Sequence, residues 1–151
     1  MDRRQHADAS PTERTLAEVR SRGWYAYPCE GWRPAGARCV LCRTAAFWRR
    51  SDFLGFCDVL ALPIMLAIQT TSGDNHAARV KKIVQERQEA AWYWLSGGGR
   101  IEVWTWSRRA RPQNGKLWRL RVTAVTPPMI LDGGFRPPEF TPELFRMDDP
   151  A

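Results

Sequence analysis

Apolar and polar positions alternate along this chain with two periods, and the switches between them mark out the elements. Ser10-Pro11-Thr12-Glu13 has the form of a helix start, with Ser as N-cap, Pro in the first turn and Glu at the third helical position. The helix is expected to run to about Arg22 and stop at Gly23, with Leu16, Val19 and Ala17 towards the core and Glu18 near that face. Trp24-Tyr25-Ala26-Tyr27 predicts a first strand, closed by Pro28. Residues 29–51, rich in Gly, Pro and Arg, show no clear period and predict a loop. Phe53 to Leu62 and Ile64 to Thr71 are apolar stretches of strand length, predicting a hairpin with its turn at Leu62-Pro63.

Asp74 is a candidate cap for a second helix. Ala77, Val80, Ile83, Val84, Ala90, Ala91 and Trp94 keep helical spacing up to the stop at Gly97-Gly98-Gly99, with a break expected near Gln88. Ile101 to Trp106 and Leu117 to Val125 predict two more strands joined by a loop from Arg108 to Lys116. The order is helix, three strands, helix, two strands. It predicts an α/β chain with a central mixed sheet flanked by helices. A flexible start over 1–9, one domain over 10–125 and a C-terminal tail over 126–151, packing on or leaving the domain, complete the division.

Composition narrows the class. The eight tryptophans and a 44% apolar share favour a packed core over disorder. Trp104 and Trp106 share a strand face, where core packing is favoured over base stacking. The longest charge-free apolar run, Val59 to Ile68, is too short for a membrane span, and the start has no apolar signal core. A cytoplasmic protein without a membrane partner is expected.

The net charge is +7, unevenly spread: residues 51–73 contain no Lys or Arg, and their only charges are Asp52 and Asp58. A basic chain around an acidic, otherwise apolar centre suits a polyanion whose phosphates meet a carboxylate-held metal. Arg33, Arg43, Arg49 and Arg50, with Trp32 and Trp48 beside them, and Arg108, Arg109 and Arg111 are the candidate nucleic-acid contacts.

Asp58 lies among apolar residues, where an unpaired carboxylate is costly and needs a metal, a cation, backbone N–H groups or a proton. Gln69 and Thr71 share one face of the next strand. With Glu18 from the first helix, Asp58 and Gln69 make an oxygen set suited to Mg²⁺ or Mn²⁺. Asp58 is placed first and Asp52 at the substrate end or the strand entrance, because six residues of extended strand would separate the two by about 20 Å unless Gly55 forms a bulge. The plainer alternative is that Asp58 accepts backbone hydrogen bonds at a sheet end.

The cysteines support a weaker reading. Cys39-Val40-Leu41-Cys42 has zinc-knuckle spacing with Cys29 ten residues upstream, but a fourth ligand would have to be Cys57 or a histidine. Cys57 is expected to face away from Asp58, and His76 to lie on an exposed helix face.

Glu18 on a helix, then Asp52-Phe53-Leu54-Gly55-Phe56-Cys57-Asp58, then Ile68-Gln69-Thr70-Thr71-Ser72 and the Arg79, Lys82, Ile83 helix resemble the PD-(D/E)xK nuclease superfamily. Its small phage and bacterial members related to Holliday-junction resolvases are the nearer likeness, over about residues 10–125. The resemblance implies a restriction-endonuclease-like core and metal-dependent cleavage of DNA, including branched DNA, by a homodimer where a junction needs paired cuts. It assigns Glu18 and Asp58 as acids, Gln69 to the place of the second acid and Thr71 to that of the usual Lys. Arg79 or Lys82 would then supply the missing cation. With Gln and Thr at two usually charged positions, a non-cleaving DNA-binding or adaptor module on the same fold is the alternative. A small basic protein with an acidic protein partner is a third.

Overall fold

The computed structural model describes residues 9–38, 45–110 and 116–138; for 32–38, 45–51, 109–110 and 116–117 the backbone alone is described. Helix α1, Pro11–Ser21, begins with a closed capping box: Ser10 Oγ accepts from the Glu13 amide at 3.2 Å, and Glu13 Oε2 accepts from the Ser10 amide at 2.7 Å. Thr15 and Val19, one turn apart, are the residues it buries.

Strands β1 (Tyr25–Pro28), β4 (Val59–Leu62), β5 (Leu66–Ser72), β6 (Arg100–Ala110) and β7 (Lys116–Val125) form one open five-stranded sheet in the order β1-β4-β5-β6-β7. Only the β5–β6 pair is parallel, and its crossover is the helical stretch between them. That stretch consists of a 3₁₀ turn Gly73–Asn75, α2 (His76–Lys81), a π turn Lys82–Glu86 and α3 (Gln88–Ser96), broken at Arg87. Six of the seven residues of β5 are buried, as expected of a central strand covered on both faces.

Val19 packs with Val59, Ala61, Leu66, Ile68 and Trp104 on one side of the sheet. Phe56, Ala67, Ile83, Ala91, Ile101 and Val103 form the second core layer on the other side. The chain is thus an α/β fold with helices on both faces of a mixed sheet. Among the described residues no helix is long and apolar enough to cross a membrane.

Three sequence expectations need correction. The stretch read as a loop contains a second, two-stranded sheet: β2 (Gly31–Arg38) pairs antiparallel with β3 (Ala45–Ser51), so pairing overrides its Gly and Pro. The predicted strand from Phe53 is extended only from Val59. Before that, Leu54 (φ 58°) and Gly55 (φ 75°) adopt left-handed backbone, and Cys57 donates its amide to the Phe53 carbonyl at 2.8 Å, closing a tight turn. Strand pairing consumes the ends of the predicted Arg108–Lys116 loop, through Arg108↔Trp118 and Ala110↔Lys116. The start of the tail is helix α4, Pro127–Asp132, which packs on the domain with Ile130 fully buried. Gln88 Nε2 ties it down, donating to the carbonyls of Val84 and Gly133 at 2.7 Å each.

Gly55 tests the turn. A Cβ there would lie 2.8 Å from Arg87 Nε, the end of a flexible side chain that can move, so the left-handed backbone dominates the cost. Gly55→Ala is expected to lower stability by about 1–2 kcal/mol in urea denaturation. An unchanged midpoint would contradict the turn's conformation.

Candidate metal centre

The turn between β3 and β4 decides what surrounds Asp58. Because residues 53–57 double back, Asp52 returns to the entrance of β4 and does not lie a strand-length away. Glu30, in the β1–β2 connection, is brought to the same place by the Cys29 amide, which donates to the Asp58 carbonyl at 2.8 Å. Carboxylate oxygens of Glu30, Asp52 and Asp58 lie within 4.8 Å of one another. They open into a cavity of about 340 Å³ whose wall includes Ser10, Thr12, Gln69, Thr71, Ser72, Asn75 and Arg79.

Asp58 is 5% exposed. Its Oδ2 accepts from Gln69 Nε2 at 2.5 Å, from the Thr70 amide at 2.7 Å and from the Thr70 hydroxyl at 3.1 Å. The Thr12 hydroxyl, 3.1 Å from that of Thr70, links α1 to this network. Even so, burial pushes the Asp58 carboxyl up to about 6; the Thr70 amide and hydroxyl act against the rise, and the charges of Glu30 and Asp52 add to it.

The donor set fits a hard divalent ion. Gln69 is 2% exposed, and while its Nε2 is spent on Asp58, its Oε1 is buried without a hydrogen-bond partner. A buried acceptor without a donor costs about 1–3 kcal/mol, and a cation in the cavity would relieve both this oxygen and the crowded carboxylates. Oxygen-only donors suit a hard cation over soft metals.

Of the residues the sequence singled out, Asp58, Gln69, Thr71 and Arg79 all line this cavity. Lys82 Nζ pairs with Asp52 Oδ2 at 3.5 Å. Glu18 is not brought to the site: it is about one-third exposed and bound to Arg22 Nη2 at 2.9 Å, because it stands 100° round the helix from buried Val19. Glu30 and Asp52 take the place that the sequence reading gave to Glu18. The expected strand-length separation of Asp52 from Asp58 is corrected by the tight turn at Gly55. Glu30 had no signal beyond being an acid beside a strand end.

Cys29 and Cys57 are both buried with sulfurs 3.8 Å apart, so Cys57 does turn into the core while Asp58 faces the cavity. The contact with Cys29 and burial both push the Cys57 thiol up, keeping it protonated. Cys39, Cys42, Arg43 and Arg111 lie outside the described residues. Arg33 stands opposite Arg49, and Arg50 opposite Trp32, in the β2–β3 register. Arg108 lies over the Trp118 ring at 4.7 Å, and Arg109 pairs with Leu117.

His76 is not on an exposed face as expected. Its ring nitrogens reach Thr105 Oγ1 at 2.6 Å and Thr123 Oγ1 at 3.1 Å, pinning α2 to the sheet, and burial lowers its pKa. Trp104 and Trp106 are buried beneath α1, with Trp106 Nε1 donating to Thr15 Oγ1 at 2.9 Å.

Comparison of this chain with protein-family models, with curated proteins and with solved structures finds no match in any of the three.

The raised Asp58 pKa has a defined sign. The folded chain holds this proton from the ordinary value of 3.8 up to about 6, so metal-free stability falls as pH rises through that window. The loss amounts to about 2–3 kcal/mol above it. Asp58→Asn keeps an acceptor oxygen without the charge. In chelator it is expected to be more stable than wild type at pH 7.5 by a similar amount, and to lose the pH 4–6 slope in denaturant titrations. A variant less stable than wild type at both pH 4.5 and 7.5 would contradict a charge penalty at this site.

Proposed function

We propose that this chain is a metal-dependent nuclease that hydrolyses DNA phosphodiesters at the cavity around Asp58. The observation that carries the reading is the gathering of three carboxylates at one cavity, lined also by Gln69, whose Oε1 is buried without a hydrogen-bond partner, and by a cation, Arg79. Carboxylates alone suit metal storage or a structural ion. A guanidinium on the same wall suits an anionic group that shares the site with the ion.

Asp58, Glu30, Asp52 and the Gln69 amide oxygen would hold Mg²⁺ or Mn²⁺. The ion, when bound, supplies Lewis-acid stabilisation of charge on the phosphate and acidifies water beside it. The protein's own groups then have separable tasks. Gln69 Nε2 and Thr70 fix the Asp58 carboxylate so that it presents one orientation to the cavity. Arg79 offers a planar set of N–H donors to phosphate oxygens. Lys82 offsets the charge of Asp52, and with Arg79 it meets the need for a cation that the uncharged Thr71 leaves. The first turn of α1, around Ser10 and Thr12, adds the positive end of a helix dipole to the cavity mouth.

A mixed sheet with helices on both faces agrees with the restriction-endonuclease-like core that the sequence resemblance implies. So does the position of Asp58 beside Gln69-x-Thr71 on the neighbouring strand. Branched DNA is the substrate class the same resemblance suggests, and paired cuts in a four-way junction would require two copies.

The test uses labelled four-way junction, duplex and single-stranded DNA with Mg²⁺, Mn²⁺ or chelator. Cleavage is expected only with metal. Asp58→Asn, Asp52→Asn and Glu30→Gln should each lower it on the order of 100-fold or more, since disturbing even the outer partners of a metal site costs about 10–100-fold. Glu18→Gln should stay close to wild type. Cleavage that persists in chelator, or loss in Glu18→Gln with Glu30→Gln unaffected, would overturn the assignment. Binding without cuts in any metal would leave the non-cleaving module.

A further inference from the structure

The pairing of β6 with β7 outlasts that of β6 with β5. The last β5–β6 pair is Ser72↔Trp106, whereas β6 and β7 continue through Ser107↔Arg119, Arg108↔Trp118, Arg109↔Leu117 and Ala110↔Lys116. Four rows of two-stranded ribbon therefore project beyond the sheet, about 13 Å at the rise of an extended chain. Among the described residues, the buried core on these strands ends at Trp106 at the outer end of β6. The eight residues of those rows include Arg108, Arg109, Lys116 and Arg119 and no acid. Arg121, one row below Trp106↔Leu120, adds another exposed cation.

The charges lie on both faces. Directly paired residues share a face and successive ones alternate, so Arg108 lies with Trp118 on the α1 side, while Arg119 and Arg121 lie on the α2 side. Trp118 is half-buried at the ribbon's base, with the guanidinium carbons of Arg14 and Arg108 at 3.8 and 4.7 Å from its ring centroid. The Arg14 contact holds the ribbon against α1, while Arg108 stacks on Trp118 within the ribbon, and Arg108 and Arg119 are exposed.

We propose that this ribbon is an arm that enters the major groove of duplex DNA and delivers the adjoining backbone to the acidic cavity. The proposal rests on the nuclease reading for its purpose, although not for its geometry. The major groove of B-form DNA is about 12 Å wide and about 8.5 Å deep and admits a two-stranded ribbon. Its two walls are phosphate backbones, so a ribbon within it meets negative charge on both faces, which matches the distribution of Arg108 and Arg119. A single strand on a surface needs cations on one face only, and the major groove of A-form RNA is too narrow to enter. The placement suits delivery too. Thr71 and Ser72 in the cavity wall pair with Thr105 and Trp106, so the arm rises one strand away from the cavity, at the same end of the sheet.

The experiment measures binding of the full-length protein in chelator, so that cleavage plays no part, by fluorescence anisotropy over a salt series. Probes are a DNA duplex, one of its single strands and an RNA duplex. The DNA duplex is expected to bind most tightly. Arg108→Ala with Arg119→Ala should weaken it on the order of tenfold and reduce the slope of log K against log salt by about 2. Arg20→Ala with Arg136→Ala removes the same charge elsewhere and should leave affinity and slope near wild type. Methyl green, a major-groove ligand, should compete, and the minor-groove ligand netropsin should not.

Equal or tighter binding of the single strand or the RNA would overturn the proposal. So would an unchanged salt slope in the arm variant, equal losses in both double variants, or competition by netropsin alone. Circular dichroism checks that these exposed substitutions leave the fold intact. Metal-dependent cleavage combined with an unaffected arm variant would remove the arm and keep the nuclease. Duplex binding through the arm without cleavage would do the reverse.

Discussion

A carboxylate buried at the entrance of β4, with two others packed near it, is the constraint around which this fold is arranged. Burial and like charge both act against ionisation of Asp58, and the surroundings answer only in part. The amide and hydroxyl of Thr70 and the amide nitrogen of Gln69 all meet one oxygen, Oδ2. That spends the Gln69 nitrogen and leaves its own oxygen buried without a donor. The remaining deficit is of a kind that a cation removes, for the orphan acceptor and the mutual repulsion together. Stability and chemistry therefore oppose each other here: charge that is costly in the metal-free chain is what would hold an ion.

The position of this deficit follows from topology. The cavity opens where β5 ends, beside its parallel partner β6 and under the helical crossover that joins them. In open α/β sheets that location, outside the carboxyl ends of the strands, is where ligands commonly bind. α2 carries Arg79 into the cavity wall, and the His76 contacts with Thr105 and Thr123 hold that helix on the sheet. On the other face, the capped start of α1 reaches the same cavity through Thr12 and Thr70. Acid, cation and helix dipole thus meet at one end of a sheet whose two core layers are separate from them.

Much of this was legible in the sequence. Ser10-Pro11-Thr12-Glu13 announced α1 because a capping box is a local device needing no tertiary help. Gln69 and Thr71 could be placed together, opposite Asp58, because strand alternation is geometric. The break near Gln88 was visible too, although not the π turn before it. What failed was nonlocal or masked by composition. Phe53 to Leu62 has the apolarity of a strand, but the left-handed backbone at Leu54 and Gly55 folds its first half into a turn, and that brings in Asp52. The β2–β3 pairing links residues up to twenty apart in a stretch without clean alternation, as with Gly31↔Ser51, so no local period marks it. Glu18 was misplaced by a single helical step, since Val19 takes the buried direction and Glu18 turns to Arg22.

The existence of a metal centre can be tested without reference to any substrate. Mn²⁺ titrated into the full-length protein at pH 7.5, with free ion followed by electron paramagnetic resonance, reports saturable binding directly. A saturable site that weakens markedly in Asp58→Asn is expected. Binding that is absent up to millimolar Mn²⁺, or unchanged in Asp58→Asn, would contradict a metal centre at this cavity.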